Sequence, residues 1–257
     1  MPSTATAWPA SRAERGTFSS ASPGGQVTSS VSPAARRSSS SFVRTHVMGQ
    51  RNDVMSSVRT MLGYRSGRMR RPSYLILHGY QASGPGHWQT WLAGRLRAGE
   101  ATVAYPDLPD ADQPQLRSWL EGLRGELDAL AEPPVVLCHS LACLLWLHHA
   151  AAGGKPAARV LLVAPPSQTG APEALSTFFP PPLDAAALAA SAPEGARIVC
   201  ADNDPFCPEG AVELYARPLG VPADVLPGRG HLNPDAGLGP WPAVEAWARE
   251  GAAPVTA

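Results

Sequence analysis

The sequence predicts an α/β fold in which helices cover both faces of a mostly parallel sheet, giving three layers. Short, almost wholly apolar runs end at Gly, Pro or Asp, which is typical of parallel strands buried on both faces. Segments with apolar residues at helical spacing alternate with these runs, as in a wound parallel sheet. The chain has 257 residues, 44% of them apolar, which suffices for one such domain and an extension.

The ordered part is predicted to begin near Pro72, and its elements alternate regularly from there. The run 134–146 reads as an apolar strand, one sharp turn and an apolar helix. The other predicted strands are residues 74–77, 101–105, 158–165, 197–201 and 223–226, and the other predicted helices are residues 87–96, 113–130, 209–219 and 241–249.

Ser140 occupies the turn of the run 134–146, and small residues flank it two positions away on each side. Cys138 and Ala142 give the spacing of the G-x-S-x-G nucleophile elbow with both glycines replaced. Small residues are needed because this turn strains its own backbone and brings those positions into close contact. A buried strand followed by a helix with a serine N-cap would look similar. The elbow interpretation therefore depends on whether an acid and a histidine follow in the right order.

An acid and a histidine follow further predicted strands in the order that an elbow serine requires. Asp202 and Asp204 come after the fifth strand, and His231 follows Gly228-Arg229-Gly230 after the sixth. Asp204 is preferred because Pro205 fixes its loop, whereas Asp202 would more naturally cap the turn. The order Ser, Asp, His is that of the α/β hydrolases, and carboxyl ends of parallel strands are where ligands collect.

Two backbone amides are expected to complete an oxyanion hole. Leu141 opens the helix after Ser140, and Tyr80 follows the His-Gly pair at the end of the first strand, where this fold finds its second donor. His78 is then interpreted as a polar strand end that hydrogen-bonds the loop. His139 is predicted to point away from the nucleophile and to be structural, because side chains alternate along a strand.

Residues 1–71 differ sharply in charge from the rest of the chain. They contain eleven arginines and two acidic residues, a net charge of +9, whereas residues 72–257 hold ten basic and nineteen acidic residues, a net charge of −9. The extension is rich in Ser and is expected to be disordered. A transit peptide and a nucleic-acid-binding tail match it, but we favour a reading frame that starts too early, since Met48, Met55, Met61 and Met69 all precede the domain.

The four cysteines are expected to be small buried apolar residues in a reducing, cytoplasmic compartment. None of them has the C-x-x-C spacing of a metal knuckle or a redox site, and we expect no disulfide. No stretch approaches the ~20 apolar residues of a membrane span. We therefore expect no membrane partner, no nucleic-acid partner for the folded domain, and a monomer or weak dimer.

Six short motifs are spread over nearly all of the ordered part: His78-Gly79-Tyr80, Ser83-Gly84-Pro85-Gly86-His87-Trp88, Tyr105-Pro106-Asp107, His139-Ser140-Leu141-Ala142, Asp204-Pro205-Phe206 and Gly230-His231. In these motifs the chain resembles the small serine hydrolases of the family of retinoblastoma-binding protein 9 and bacterial YdeN. The resemblance implies a compact α/β hydrolase with a minimal lid, a triad of Ser140, Asp204 and His231, and no metal or organic cofactor. Ala142 departs from the glycine usual at that place.

The expected activity is cleavage of a small acyl bond, a carboxylic ester or an amide, through an acyl-enzyme. The short segment 178–183 is the available lid, and its apolar members Phe178, Phe179 and Leu183 are expected to line an open, shallow pocket. Long-chain lipids should then be poor substrates. The competing interpretation is a non-catalytic module that uses the same fold to bind a protein.

Overall fold

The structure, a computed structural model, describes residues 72–251 and 253–257, and the extension 1–71 lies outside these residues. Within them, six strands form one sheet in the order β2-β1-β3-β4-β5-β6, and every neighbouring pair is parallel. The strands are β1 Ser73–Leu77, β2 Thr102–Ala104, β3 Val135–His139, β4 Arg159–Val163, β5 Ala196–Ala201 and β6 Ala223–Leu226.

The sheet reverses its direction of winding between β1 and β3. From β1 the chain moves to one side to form β2, and it then crosses to the other side of β1 to form β3. Loops on the carboxyl side of the two strands diverge at such a point and leave a crevice where α/β proteins bind ligands. The segments that leave β1 and β3 here are His78-Gly79-Tyr80 and Ser140.

Helices cover the sheet on both faces, as predicted, and two separate cores result. The larger core holds the apolar side of α2 and residues 141–147 of α3 with parts of α4 and α5, and the smaller core lies under α1 and α6. The helices are α1 Trp88–Ala98, α2 Leu116–Ala129, α3 Leu141–Ala151, α4 Ala185–Ser191, α5 Arg217–Leu219 and α6 Pro242–Glu250, with 3₁₀ turns at Glu173–Phe178 and Pro234–Ala236 and a π-helical turn at Val212–Ala216.

Two predicted helices differ from their expected course, each near a proline. Helix α2 begins at Leu116 and not at Gln113, and Pro114 disfavours helical backbone at Gln113, the residue before it. In the predicted helix 209–219, Pro218 has no N–H to donate and its ring would crowd the carbonyl one turn earlier. The backbone widens there into the π-helical turn, where the Arg217 N–H bonds the carbonyl of Val212.

The burial of the four cysteines agrees with the prediction. All four are buried and form no disulfide, and burial raises the pKa of the Cys200 and Cys207 thiols to about 11 and about 12. Such thiols stay protonated and unreactive at neutral pH. Within the described part of the chain, no helix combines the length and the apolar character that a membrane crossing needs.

Candidate active site

Ser140 sits on a strained turn between β3 and α3. Its φ of 53° and ψ of −122° are unusual for a residue with a side chain. The Ser140 N–H donates to the Val163 carbonyl at 2.8 Å, and this hydrogen bond helps to hold the strained backbone. The turn ends the strand abruptly and places Ser140 at the carboxyl edge of the sheet, as the elbow pattern predicts.

The side chains of Ser140, His231 and Asp204 form one chain of hydrogen bonds. Ser140 Oγ lies 2.8 Å from His231 Nε2, and His231 Nδ1 lies 2.8 Å and 3.0 Å from the two carboxylate oxygens of Asp204. A carboxylate only accepts, so Nδ1 carries the proton and the lone pair of Nε2 faces the serine hydroxyl. All three residues are at least nine-tenths buried, so the arrangement is largely screened from water.

The two aspartates after β5 have different partners. Asp204 accepts the Phe206 N–H at 2.9 Å as well as the histidine, and the Phe206 ring packs edge-on against His231 at 4.5 Å. Asp202 instead accepts the Gly228 N–H at 2.7 Å. Asp204 is therefore the carboxylate that reaches the imidazole, and Asp202 fixes the start of the loop that carries it.

His78 fixes the peptide group that joins Gly79 to Tyr80. Its Nδ1 donates to the Gly79 carbonyl at 2.7 Å, and its Nε2 accepts the Leu108 N–H at 2.8 Å. Because the N–H and C=O of a trans peptide point in opposite directions, a fixed Gly79 carbonyl also fixes the direction of the Tyr80 N–H. Burial lowers the pKa of His78, which favours this neutral form of the ring. The two hydrogen bonds agree with the interpretation of His78 as a polar strand end that bonds the loop.

The loop after Tyr80 is anchored by a buried glutamine of α1. Gln89 donates through Nε2 to the Leu77 carbonyl at 2.8 Å and accepts the Ser83 hydroxyl at 2.8 Å. The same side chain therefore holds the last residue of β1 and the middle of the loop. This rigidity favours a preformed arrangement around Ser140.

Residues 74–249 match the model of a protein family described as serine hydrolase. The match covers well over half of the chain. The chain belongs to the serine hydrolase family. YdeN of Bacillus subtilis (strain 168) is 38% identical to it over 77 residues, which are 29% of this chain and 40% of YdeN. The alignment thus spans less than half of that relative.

Solved structures show where the fold of this serine hydrolase recurs. The crystal structure of the B. subtilis ydeN gene product matches with a TM-score of 0.60 at 24% identity, covering 68% of this chain and 95% of that one. A YdeN-like protein from Pectobacterium atrosepticum matches with a TM-score of 0.52 at 21% identity, covering 69% and 90%. Est1E from Butyrivibrio proteoclasticus matches with 0.50 at 14%, covering 63% and 80%. The α/β-hydrolase fold and the likeness to YdeN are thereby confirmed.

The three residues expected to line the pocket of the serine hydrolase differ in their surroundings. Phe178 has no exposed surface and packs edge-on against Trp119, with ring centroids 5.3 Å apart. Its ring therefore belongs to the larger core and not to the wall of an open pocket. Phe179 is partly buried against the same core, whereas Leu183 is 42% exposed. A pocket role stays a prediction for Phe179 and Leu183.

Two residues near the base escaped the sequence analysis. His139 was expected to be structural, and Trp88 was noted only as part of a motif, yet each donates a ring N–H to the loop that carries His231. A signal for both was available. A histidine inside an apolar buried strand and a buried indole each need a hydrogen-bond partner, and such partners tend to be specific.

Proposed function

We propose that this serine hydrolase cleaves small carboxylic esters, and amides more slowly, through an acyl-enzyme on Ser140. The observation that carries the proposal is the pair of hydrogen bonds that links the Ser140 hydroxyl through His231 to Asp204 at the point where the sheet reverses. A hydroxyl is a weak nucleophile at neutral pH and needs an adjacent base, which in turn needs a group to orient it. These three side chains supply the three roles.

The proposed reaction runs in two halves. Ser140 Oγ attacks the carbonyl carbon as His231 Nε2 takes the hydroxyl proton, and His231 returns that proton to the leaving oxygen when the bond to the leaving group breaks. Water then attacks the acyl-enzyme, giving a proton to His231, and the acid leaves as Ser140 regains its proton. Asp204 keeps the imidazole in the tautomer that both halves require.

The amides of Leu141 and Tyr80 are proposed to stabilise the negative charge that develops on the carbonyl oxygen. Leu141 begins α3, so its N–H lies in the first turn, where helical amides have no acceptor within the helix. The direction of the Tyr80 amide is set by the His78 bond to the Gly79 carbonyl. One such donor contributes about 3 kcal/mol to lowering the barrier.

The proposed substrates are small because the lid is short. The segment 178–183 holds one ring in the core, which leaves Phe179 and Leu183 as the apolar side chains available to an acyl group. We therefore propose a small-molecule acyl substrate bound in an open pocket. Long acyl chains would leave most of their apolar surface in water and gain little binding energy.

The proposal is tested by the hydrolysis of 4-nitrophenyl acetate, butyrate and decanoate by the purified protein and by Ser140→Ala. We expect kcat/KM to be highest for the two short esters, a burst of nitrophenol equal to the enzyme concentration, and no turnover above background with the variant. A folded wild-type protein that turns over none of the three esters would overturn the proposal and favour a protein-binding role. Equal turnover by Ser140→Ala would exclude Ser140 as the nucleophile.

A further inference from the structure

Two successive carbonyls of the loop that carries His231 are held by buried ring N–H groups from other parts of the fold. His139 Nε2 lies 3.0 Å from the carbonyl oxygen of His231, and Trp88 Nε1 lies 3.0 Å from that of Leu232. Both donors are buried. His139 is the last residue of β3 and Trp88 is the first residue of α1. The loop is therefore hydrogen-bonded both to the sheet and to a helix.

The chemistry of both rings makes them donors. A carbonyl oxygen only accepts, so His139 Nε2 carries the hydrogen, and an indole nitrogen can only donate. Burial lowers the pKa of His139 well below its usual range. The ring therefore stays neutral at physiological pH and keeps a single N–H, which is directed at the His231 carbonyl.

The segment 230–232 adopts a backbone conformation that it would not favour without these contacts. Gly230 and Leu232, on either side of His231, both have a φ of +50°. A leucine in this left-handed region costs of the order of 1 kcal/mol, and such conformations persist where surrounding contacts determine them. The Asn203 side chain adds a third contact, since its Oδ1 accepts the Gly230 N–H at 2.8 Å.

We propose that His139 and Trp88 act as a base-loop clamp, two positioning residues that set where the His231 imidazole stands relative to Ser140 Oγ. The inference rests on the proposed function. His139 directly precedes Ser140, so one residue ties the strand of the nucleophile to the loop of the base. The His87 ring packs against both donors, with ring centroids 4.7 Å from His139 and 5.5 Å from Trp88. This packing limits the movement of both rings.

The clamp is tested with variants that keep an aromatic side chain but lack the ring N–H. We expect His139→Phe and Trp88→Phe each to lower kcat for 4-nitrophenyl acetate by about 10- to 100-fold, since a misplacement of about 1 Å at a reacting group costs up to 10²-fold. KM should change less than about threefold, because no substrate contact is lost. His139→Gln should recover most of kcat, because its amide nitrogen can replace Nε2 as the donor.

His149→Phe is the matched control. His149 is also buried and also places Nε2 3.0 Å from a backbone carbonyl, that of Lys155, but it lies near the far end of α3. We expect its kcat to stay near the wild-type value even though its melting temperature falls. If His139→Phe does not fold, His139→Asn takes its place, since the shorter amide cannot reach the carbonyl.

The outcomes separate the clamp from the proposed function. Wild-type turnover that Ser140→Ala abolishes, with clamp variants that are folded and within twofold of wild type, would overturn the clamp alone. Equal losses in His139→Phe and His139→Gln would also overturn it for His139, since the donor would then be irrelevant. No turnover by folded wild-type protein would instead overturn the proposed function.

Discussion

Gly79 lies so close to Ser140 that a Cβ added to the glycine would stand 2.8 Å from the serine Cβ and 3.1 Å from the His139 carbonyl oxygen. Real Cβ atoms do not approach other atoms this closely. The absence of a side chain at residue 79 therefore lets the loop after β1 pass directly beside the turn of the nucleophile. This approach brings the Tyr80 amide to the same corner of the sheet.

The contact predicts that Gly79→Ala displaces either the Ser140 turn or the loop. We expect kcat/KM for 4-nitrophenyl acetate to fall by one to two orders of magnitude, because a shift of about 1 Å at the reacting group is that costly. Gly84→Ala is the matched control from the same loop, since its added Cβ would meet nothing within 4 Å. Equal activity of both variants would show that the loop accommodates a side chain beside Ser140.

Asp204 and Asp202 give a second, paired prediction. Asp204→Asn should lower kcat by about three to four orders of magnitude, because the amide favours the wrong histidine tautomer. Asp202→Asn should lower kcat less than about fivefold, since its amide oxygen can still accept the Gly228 N–H. Steady-state kinetics of the two variants measure both values. A larger loss at Asp202 would reverse the assignment of the acid.

Buried neutral histidines predict that the fold loses stability in mild acid. Burial lowers the pKa values of His78, His139 and His149, and it lowers that of His87 to about 4. Below pH 6.5 the unfolded chain binds protons that the folded chain does not, so the free energy of unfolding falls as the pH falls. His87 alone accounts for a loss of about 2 kcal/mol between neutral pH and pH 5.

The variant His87→Asn isolates this contribution. His87 is the N-cap of α1, where its Nδ1 accepts the Gln89 N–H, and asparagine is a favourable N-cap that can also accept this bond. Urea unfolding at pH 7.5 and pH 5 should show a pH-dependent loss about 2 kcal/mol smaller than in the wild type. An unchanged difference between the two pH values would mean that His87 titrates normally in the fold.

Local patterns were sufficient to predict the fold and the edge where the candidate site lies. Apolar runs that end in turn residues mark the carboxyl ends of strands, and a parallel sheet gathers those ends on one edge. This is why Ser140, Asp204 and His231 could be grouped from sequence. The choice of Asp204 followed from turn chemistry, and Asp202 does hold a turn amide, that of Gly228.

Contacts between distant residues with no local signature could not be predicted. His139 and His231 are 92 residues apart, and Trp88 and Leu232 are 144 apart. Alternation along β3 shows that the His139 side chain leaves the Ser140 face, but not which loop covers it. Phe178 was assigned to the lid for the same reason, since Trp119, the ring that buries it, belongs to a helix 59 residues earlier in the chain.

The central claim is that the Ser140 hydroxyl is activated by His231, and labelling with a fluorophosphonate probe tests it most directly. The probe reacts only with an activated serine, so the wild-type protein should label stoichiometrically at Ser140. Ser140→Ala and His231→Ala should not label, although both variants remain folded by circular dichroism. Folded wild-type protein that does not label, or a Ser140→Ala variant that labels equally, would contradict the claim.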